Sequence, residues 1–274
     1  MTCGIVYLLT SNRLAARFVV SLHSLRQWYD GPVTVFTTRP ESHEIGERCA
    51  QDAALRIDHR QICERRAAVQ TAAYLTKPKA IAESPYEATV FLDADTLIVG
   101  DISKLLLSAQ RHDITATVFG CWTTTDDHYR ELLGKWRRLN ISNETLGYSL
   151  TELIDRALDA AHPAINIGVF AMRRGSLLLG EWDRLTLAAR TMPIPDEVSF
   201  QLLLPDYSHA LLGMEYNYHP VACPPRDDIR IWHFAGGMHL PNVHSHEVWL
   251  AEYDECRRKN VAGINAWSRI DSPR

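Results

Sequence analysis

Val90-Phe91-Leu92-Asp93-Ala94-Asp95-Thr96-Leu97-Ile98-Val99 is an apolar run broken by two carboxylates spaced two apart. Its β-branched and bulky apolar residues read as a buried strand. On an extended backbone alternate side chains share a face, so Asp93 and Asp95 are expected to project together where the strand leaves its sheet. Two like charges there need a counterion. A hard divalent cation suits them, because carboxylate oxygens favour Mg²⁺ or Mn²⁺, and such ions bridge protein carboxylates to substrate phosphates.

The flanking sequence makes this run one strand of an α/β fold. Upstream, Ile5 to Thr10 reads as a strand, and Leu14, Phe18, Leu22, Leu25 and Trp28 recur at helical spacing between Ser11 and Tyr29. Val33 to Thr38 reads as a second strand and Glu44 to Ala54 as its returning helix, an alternation that implies a mostly parallel central sheet flanked by helices. Pro78 suits the first turn of a short helix through Glu83, and Ser84-Pro85-Tyr86 breaks it ahead of the diacidic run. Downstream, strands are expected over Ile114 to Phe119, Ile167 to Met172 and Ile229 to Phe234. Helices are expected from Ser176 to Arg190, from Asp196 to Leu204, and as a surface helix over 246–259. The polar, weakly helical stretch 120–163 reads as an insertion into one domain spanning 1–274.

Composition narrows the function classes. Hydrophobic residues make up 46 % of 274 positions, enough for a substantial core. A net charge of −4 offers no general attraction for nucleic acid or anionic membrane. Six cysteines without a C-x-x-C pair favour reduced thiols rather than a disulfide framework or zinc knuckle. Ile5 to Leu9 lacks a basic leader and is short for a signal segment, so a cytoplasmic protein without a transmembrane segment is expected.

Three chemistries use an Asp-x-Asp at a strand end. A haloacid-dehalogenase-type phosphatase wants Thr or Val two positions after the second Asp, where this chain has Leu97, and its strand normally opens the domain. A sugar-nucleotide pyrophosphorylase needs a glycine-rich basic loop after its first strand, and Ser11-Asn12-Arg13-Leu14 has no glycine. The third is glycosyl transfer from a nucleotide sugar, in which a metal neutralises the diphosphate leaving group. Val90 to Ile98, followed by Asp101-Ile102-Ser103-Lys104-Leu105, resembles the signature of glycosyltransferase family 8, the glycogenin and lipopolysaccharide galactosyltransferase group. The resemblance implies a GT-A fold, a retaining reaction and a Mn²⁺ or Mg²⁺ cofactor.

Other segments resemble the same family in its order, over most of residues 4–240. Val6 to Asn12 is similar to the uridine-binding first strand, which makes Thr10 and Ser11 candidate base contacts, although Leu14 stands where relatives often place Tyr. Leu75-Thr76-Lys77 resembles a segment whose cation reaches the donor sugar and phosphates. Ala164 to Val169 resembles a Phe-Asn-x-Gly-Val segment in which Asn166 would hold sugar hydroxyls and Gly168 would allow close approach. Asp196-Glu197 replaces a typical Asp-Gln pair, so a carboxylate would stand where relatives place an amide under the anomeric carbon. Trp232-His233-Phe234-Ala235-Gly236 resembles the segment whose His completes the metal site. Six residues on, His239 replaces a Lys.

The resemblance therefore implies metal ligands Asp93, Asp95 and His233. Donor contacts would come from Thr10, Ser11, Lys77, Asp93, Ala94, Asp95, Asn166, Gly168, Asp196, Gly236 and His239, with Lys77, Asp196 and Glu197 at the chemistry. The expected function is a metal-dependent retaining hexosyltransferase using UDP-glucose or UDP-galactose. The alternatives are a catalytically silent nucleotide-sugar binding protein and the phosphatase. The acceptor is open, and Trp122, Tyr129 and Trp136 are candidate rings of an acceptor-facing lid.

Overall fold

The computed structural model describes residues 1–65, 72–139, 141, 146–221, 223–224, 226–237 and 245–267. Its strands are β1 (Cys3–Leu9), β2 (Val33–Thr37), β3 (Ile57–Gln61), β4 (Ala88–Leu92), β5 (Thr96–Ile98), β6 (Ile114–Thr123), β7 (Pro163–Ile165), β8 (Val169–Arg173), β9 (His209–Leu212) and β10 (Ile231–His233). The described helices are α1 (Ala15–Arg26), α2 (Pro40–Gln51), α3 (Ala72–Ala82), α4 (Ser103–Arg111), α5 (Asp127–Trp136), α6 (Leu150–Asp159), α7 (Leu177–Ala188), α8 (Pro195–Leu203) and α9 (His246–Lys259).

The main sheet runs β3-β2-β1-β4-β8-β6-β7, with β9 also on β6. Strands β3, β2, β1 and β4 are mutually parallel, and β8 joins β4 antiparallel. The period of two decides which core each side chain enters. On β1, Ile5, Tyr7 and Leu9 enter a first core under α1, α4 and α9, whereas Val6 and Leu8 enter a second under α3 and α5 to α8. β4 and β8 divide likewise, with Val90 and Val169 in the first core and Phe91 and Phe170 in the second. A strand buried on both faces reads as a continuous apolar run, which is why β1 and β4 stand out in the sequence.

Several expectations are corrected in detail. Pro78 lies inside α3 rather than in the first turn of a helix. The helix extends upstream because Leu75 and Thr76, ahead of the proline, are already buried against the protein. The helices α5 and α6 of the 120–163 stretch place Leu132, Leu133, Trp136, Leu153 and Ile154 in the second core. Helix α9 has the expected bounds, yet one face is core: Trp249, Tyr253 and Cys256 are buried. No described helix is long and apolar enough to cross a membrane.

Candidate active site

Parallel β1 and β4 end together at the carboxyl end of the main sheet, where open α/β sheets bind ligands. β4 stops at Leu92, and Asp93 to Asp95 turn instead of continuing the strand, with Thr96 N donating to Asp93 O at 3.2 Å. Strand alternation is therefore not what brings the two carboxylates together; the bend is. The rest of the run, β5, leaves the main sheet and pairs antiparallel with β10, setting His233 opposite Thr96. Phe234 N donates to Asp95 O at 2.9 Å, fixing this register. His233 Nε2 thereby lies 3.3 Å from Asp95 Oδ1 and 3.7 Å from Asp93 Oδ2.

The turn is held from behind by buried hydroxyls. Thr96 Oγ1 donates to Asp93 O at 2.9 Å and meets Ser21 Oγ of α1 at 2.9 Å, and Ser21 Oγ is 3.0 Å from Tyr7 Oη. Ile98 N donates to Ser24 Oγ at 3.0 Å. A β-carbon at Gly168 would collide with the His233 imidazole, so glycine there is what lets the ring seat. Gly168 O in turn accepts from Asp93 N at 2.8 Å.

One ligand atom from each of Asp93, Asp95 and His233 lies within 4.8 Å of the others. Burial raises the Asp95 carboxyl, but the His233 hydrogen bond and charge, with Arg17 of α1, outweigh it and leave it lowered to about 2. Desolvation works against a charged His233, and the Asp95 hydrogen bond overcomes it, so this imidazole lies above its ordinary value. Two carboxylates and an imidazole with one nitrogen facing them make a donor set that fits a divalent ion.

Beside this triad sits Lys77 of α3, 5 % exposed. Its Nζ is 3.1 Å from Asp93 Oδ1 and 3.5 Å from Asp196 Oδ2, donates to Ile167 O at 3.3 Å, and lies 4.9 Å over the Phe91 ring. Burial pulls this ammonium down, yet Asp93 and Asp196 hold it above its ordinary value. Asp196, in the first turn of α8, is 1 % exposed, and neither carboxylate oxygen accepts a hydrogen bond. Desolvation pushes it up to about 6. Half-buried Glu197 is pushed up to about 7 by desolvation and by Asp196, and its Oε2 accepts from Asn166 Nδ2 at 2.6 Å. Two buried oxygens without partners beside a cation offer acceptors to ligand hydroxyls.

Thr10 and Ser11 follow β1, both half-buried. Ala94 packs into the first core, so it faces the site with backbone only. Gly236 is exposed just beyond His233, with φ of 64°. His239 lies outside the described residues. Of the proposed ring faces, Tyr129 and Trp136 are buried in packing, while Trp122 is 36 % exposed. Trp122 meets Phe119 edge-on at 4.9 Å, Phe119 meets His219 at 4.4 Å, and His219 meets His233 at 4.4 Å.

The motifs did not point to Asn217, Tyr74 or Arg17. Asn217 accepts from His233 Nδ1 at 2.9 Å. The Tyr74 phenol is raised by burial and by the nearby Asp196 and Asp93 carboxylates, and the Arg17 charge acts on Asp95. No sequence signal marks Asn217; only the fold, in which the neighbouring Tyr218 bridges Trp232, brings it beside His233.

Residues 5–203 match the family model described as the Rhodobacterales glycosyltransferase domain. No curated protein matches the sequence. Among solved structures, the chain is similar to the galactosyltransferase LgtC in complex with donor and acceptor sugar analogues, at 13 % identity and a TM-score of 0.54, covering 93 % of this chain and 99 % of that one. Mouse xyloside xylosyltransferase 1 aligns at 13 % identity with a TM-score of 0.56, covering 88 % of this chain and 100 % of that one. A glutamine-to-glutamate active-site variant of LgtC aligns at 14 % identity with a TM-score of 0.53, covering 92 % of this chain and 95 % of that one.

Proposed function

Because the chain belongs to the Rhodobacterales glycosyltransferase domain family, a family of transferases, we propose that it moves a hexose, with retention, from a UDP-sugar to an acceptor hydroxyl in a divalent-metal-dependent reaction. The reading takes residues 1–274 as one GT-A domain. The observation that carries it is the single cluster formed by Asp93, Asp95, His233, Lys77 and Asp196 at the carboxyl end of the central strands. Family membership also removes the ground for the phosphatase alternative.

Asp93, Asp95 and His233 would hold Mn²⁺ or Mg²⁺. Bound there, the ion supplies charge neutralisation for the diphosphate leaving group. Lys77 adds a fixed cation at the same place, already oriented by two carboxylates and a backbone carbonyl, so it needs no reorganisation as charge develops. Asp196 offers its two unpartnered oxygens to sugar hydroxyls. Asn166 keeps Glu197 Oε2 in an accepting role and its carboxylate against the sugar end. The neighbour bearing a glutamate in place of an active-site glutamine is an engineered variant, whereas this chain carries Glu197 itself, where the family resemblance implies an amide. Glu197 would place negative charge near oxocarbenium character.

The test is a thermal-shift series with UDP-glucose and UDP-galactose, with and without Mn²⁺. A ligand at 100 times its Kd stabilises the native state by about 2.7 kcal/mol. A metal-dependent shift is expected for one of the two donors and is lost in Asp95→Ala. An equal shift in that variant, or without metal, would sink the reading, and binding without hydrolysis or transfer would favour a silent binding protein. For the acceptor, exposed Trp122 with half-buried Phe119 would offer a ring face to a sugar. Trp122→Ala is expected to cut acceptor turnover by up to about tenfold, in line with about 0.5–1.5 kcal/mol for a lost aromatic contact, and to leave donor hydrolysis unchanged. Unchanged acceptor kinetics would remove Trp122 from the site.

A further inference from the structure

A row of four side chains crosses the site, and two backbone groups fix its direction. Asn217 Nδ2 lies 3.0 Å from the Asn166 backbone carbonyl, an obligate acceptor, so the amide nitrogen faces Asn166. The same nitrogen is 2.9 Å from Thr117 Oγ1 and 3.1 Å from Asn166 Oδ1. Asn217 Oδ1 must then face His233, where Nδ1 lies 2.9 Å away and donates. Asn166 Oδ1 accepts from the Gly168 backbone N–H at 2.8 Å, an obligate donor, which turns Asn166 Nδ2 toward Glu197. Every proton in the row therefore points one way: His233 to Asn217, Asn217 to Asn166, Asn166 to Glu197.

We infer that Asn217 is a positioning residue that acts on both ends of the site, its oxygen holding the His233 ring as the Nδ1–H tautomer and its nitrogen anchoring Asn166. With Nδ1 protonated, the Nε2 lone pair is left for Asp93 and Asp95 to share with an ion. Asn217 is 0 % exposed, and the ring it holds is also packed by Gly168 and by His219. No other described side chain supplies an acceptor to His233 Nδ1. The inference rests on the metal-bridged donor reading given above.

Two variants separate the two jobs of this one amide. Asn217→Asp keeps an oxygen for His233 and loses the N–H that reaches Asn166, whereas Asn217→Leu keeps the size and loses both. Titrating Mn²⁺ alone into metal-free protein should give Asn217→Asp an affinity within about threefold of wild type, and Asn217→Leu one about 10- to 100-fold weaker. The KM for the UDP-sugar should rise in both variants, including the one whose metal affinity is kept. A purely structural residue would lower metal affinity in both variants together. Equal Mn²⁺ affinity for Asn217→Leu and wild type, or equal losses in both variants, overturns the inference. A long-range proton–nitrogen NMR spectrum of the Mg²⁺-loaded wild type needs no variant: His233 should carry its proton on Nδ1, and a proton on Nε2 overturns the inference. If wild-type protein shows no Mn²⁺ binding that Asp95→Ala abolishes, the donor-site reading itself falls, an outcome distinct from the failure of Asn217 alone.

Discussion

Asp196 is a buried acid, and the Lys77 ammonium at 3.5 Å, with the nearby backbone N–H groups of Asp196 and Glu197, offsets only part of its desolvation. Its rise from 3.8 to about 6 makes the native state bind this proton more tightly than the unfolded chain does. The usual sign for a carboxylate is thus reversed. Below pH 4 the group contributes nothing; as pH climbs toward 6 the unfolded chain ionises first, native stability declines, and the loss is complete above the folded value. A displacement of this size corresponds to about 3 kcal/mol. Asp196→Asn should accordingly make metal-free, donor-free protein about 1–3 kcal/mol more stable at pH 7.5 by urea denaturation, with little gain at pH 4.5, while transfer is lost. The same change in stability at both pH values would show that the carboxylate carries no such strain. The charge is retained at a cost in stability, as expected of a group kept for a ligand.

At the scale of elements, the turn from Asp93 to Thr96 does the assembling. Thr96 is 1 % exposed, and its hydroxyl holds both Asp93 O and Ser21 Oγ. Thr96→Val keeps the volume but strands those partners, so it should cost about 1–3 kcal/mol and weaken Mn²⁺ binding; full metal affinity with lowered stability would separate the turn from the site. This element also shows what the sequence could and could not reveal. The apolar run and its two acids were plain in the sequence, but the bend that splits the run was not, because period-two reasoning presumes an unbroken strand. The strand β3 went unread because an edge strand reads Ile57-Asp58-His59-Arg60-Gln61, with little apolar signal. β9 is short and half-exposed for a related reason. Lys77, Asn166, Asp196 and His233 were legible through ordered motifs. Asn217 was not, since a lone Asn after a short turn has no periodicity, and its meaning depends on β10 lying beside it. Tyr129 and Trp136 looked like ring faces only because sequence does not say which side of a helix meets the second core.

Across the whole molecule, two cores share one sheet, and α9 packs onto the first. α9 lays Trp249 and Tyr253 onto α1, and Glu252 of α9 meets His23 Nδ1 at 2.5 Å and Gln27 Nε2 at 2.8 Å. α1 is also the helix that carries Ser21, Ser24 and Arg17 behind the diacidic turn. Trp249→Ala should therefore cost about 3–5 kcal/mol in chemical denaturation. A loss below about 1 kcal/mol would mean that the helix merely covers the surface. The pairing of β5 with β10 has one more consequence, in the order in which the chain is made. Asp93 and Asp95 leave the ribosome with the first parallel strands, but their partner is residue 233, and the helix that braces α1 comes later still. A nascent chain can thus complete β1 to β4 while owning only two of the three candidate ligands, so the full set exists only once synthesis has passed residue 233.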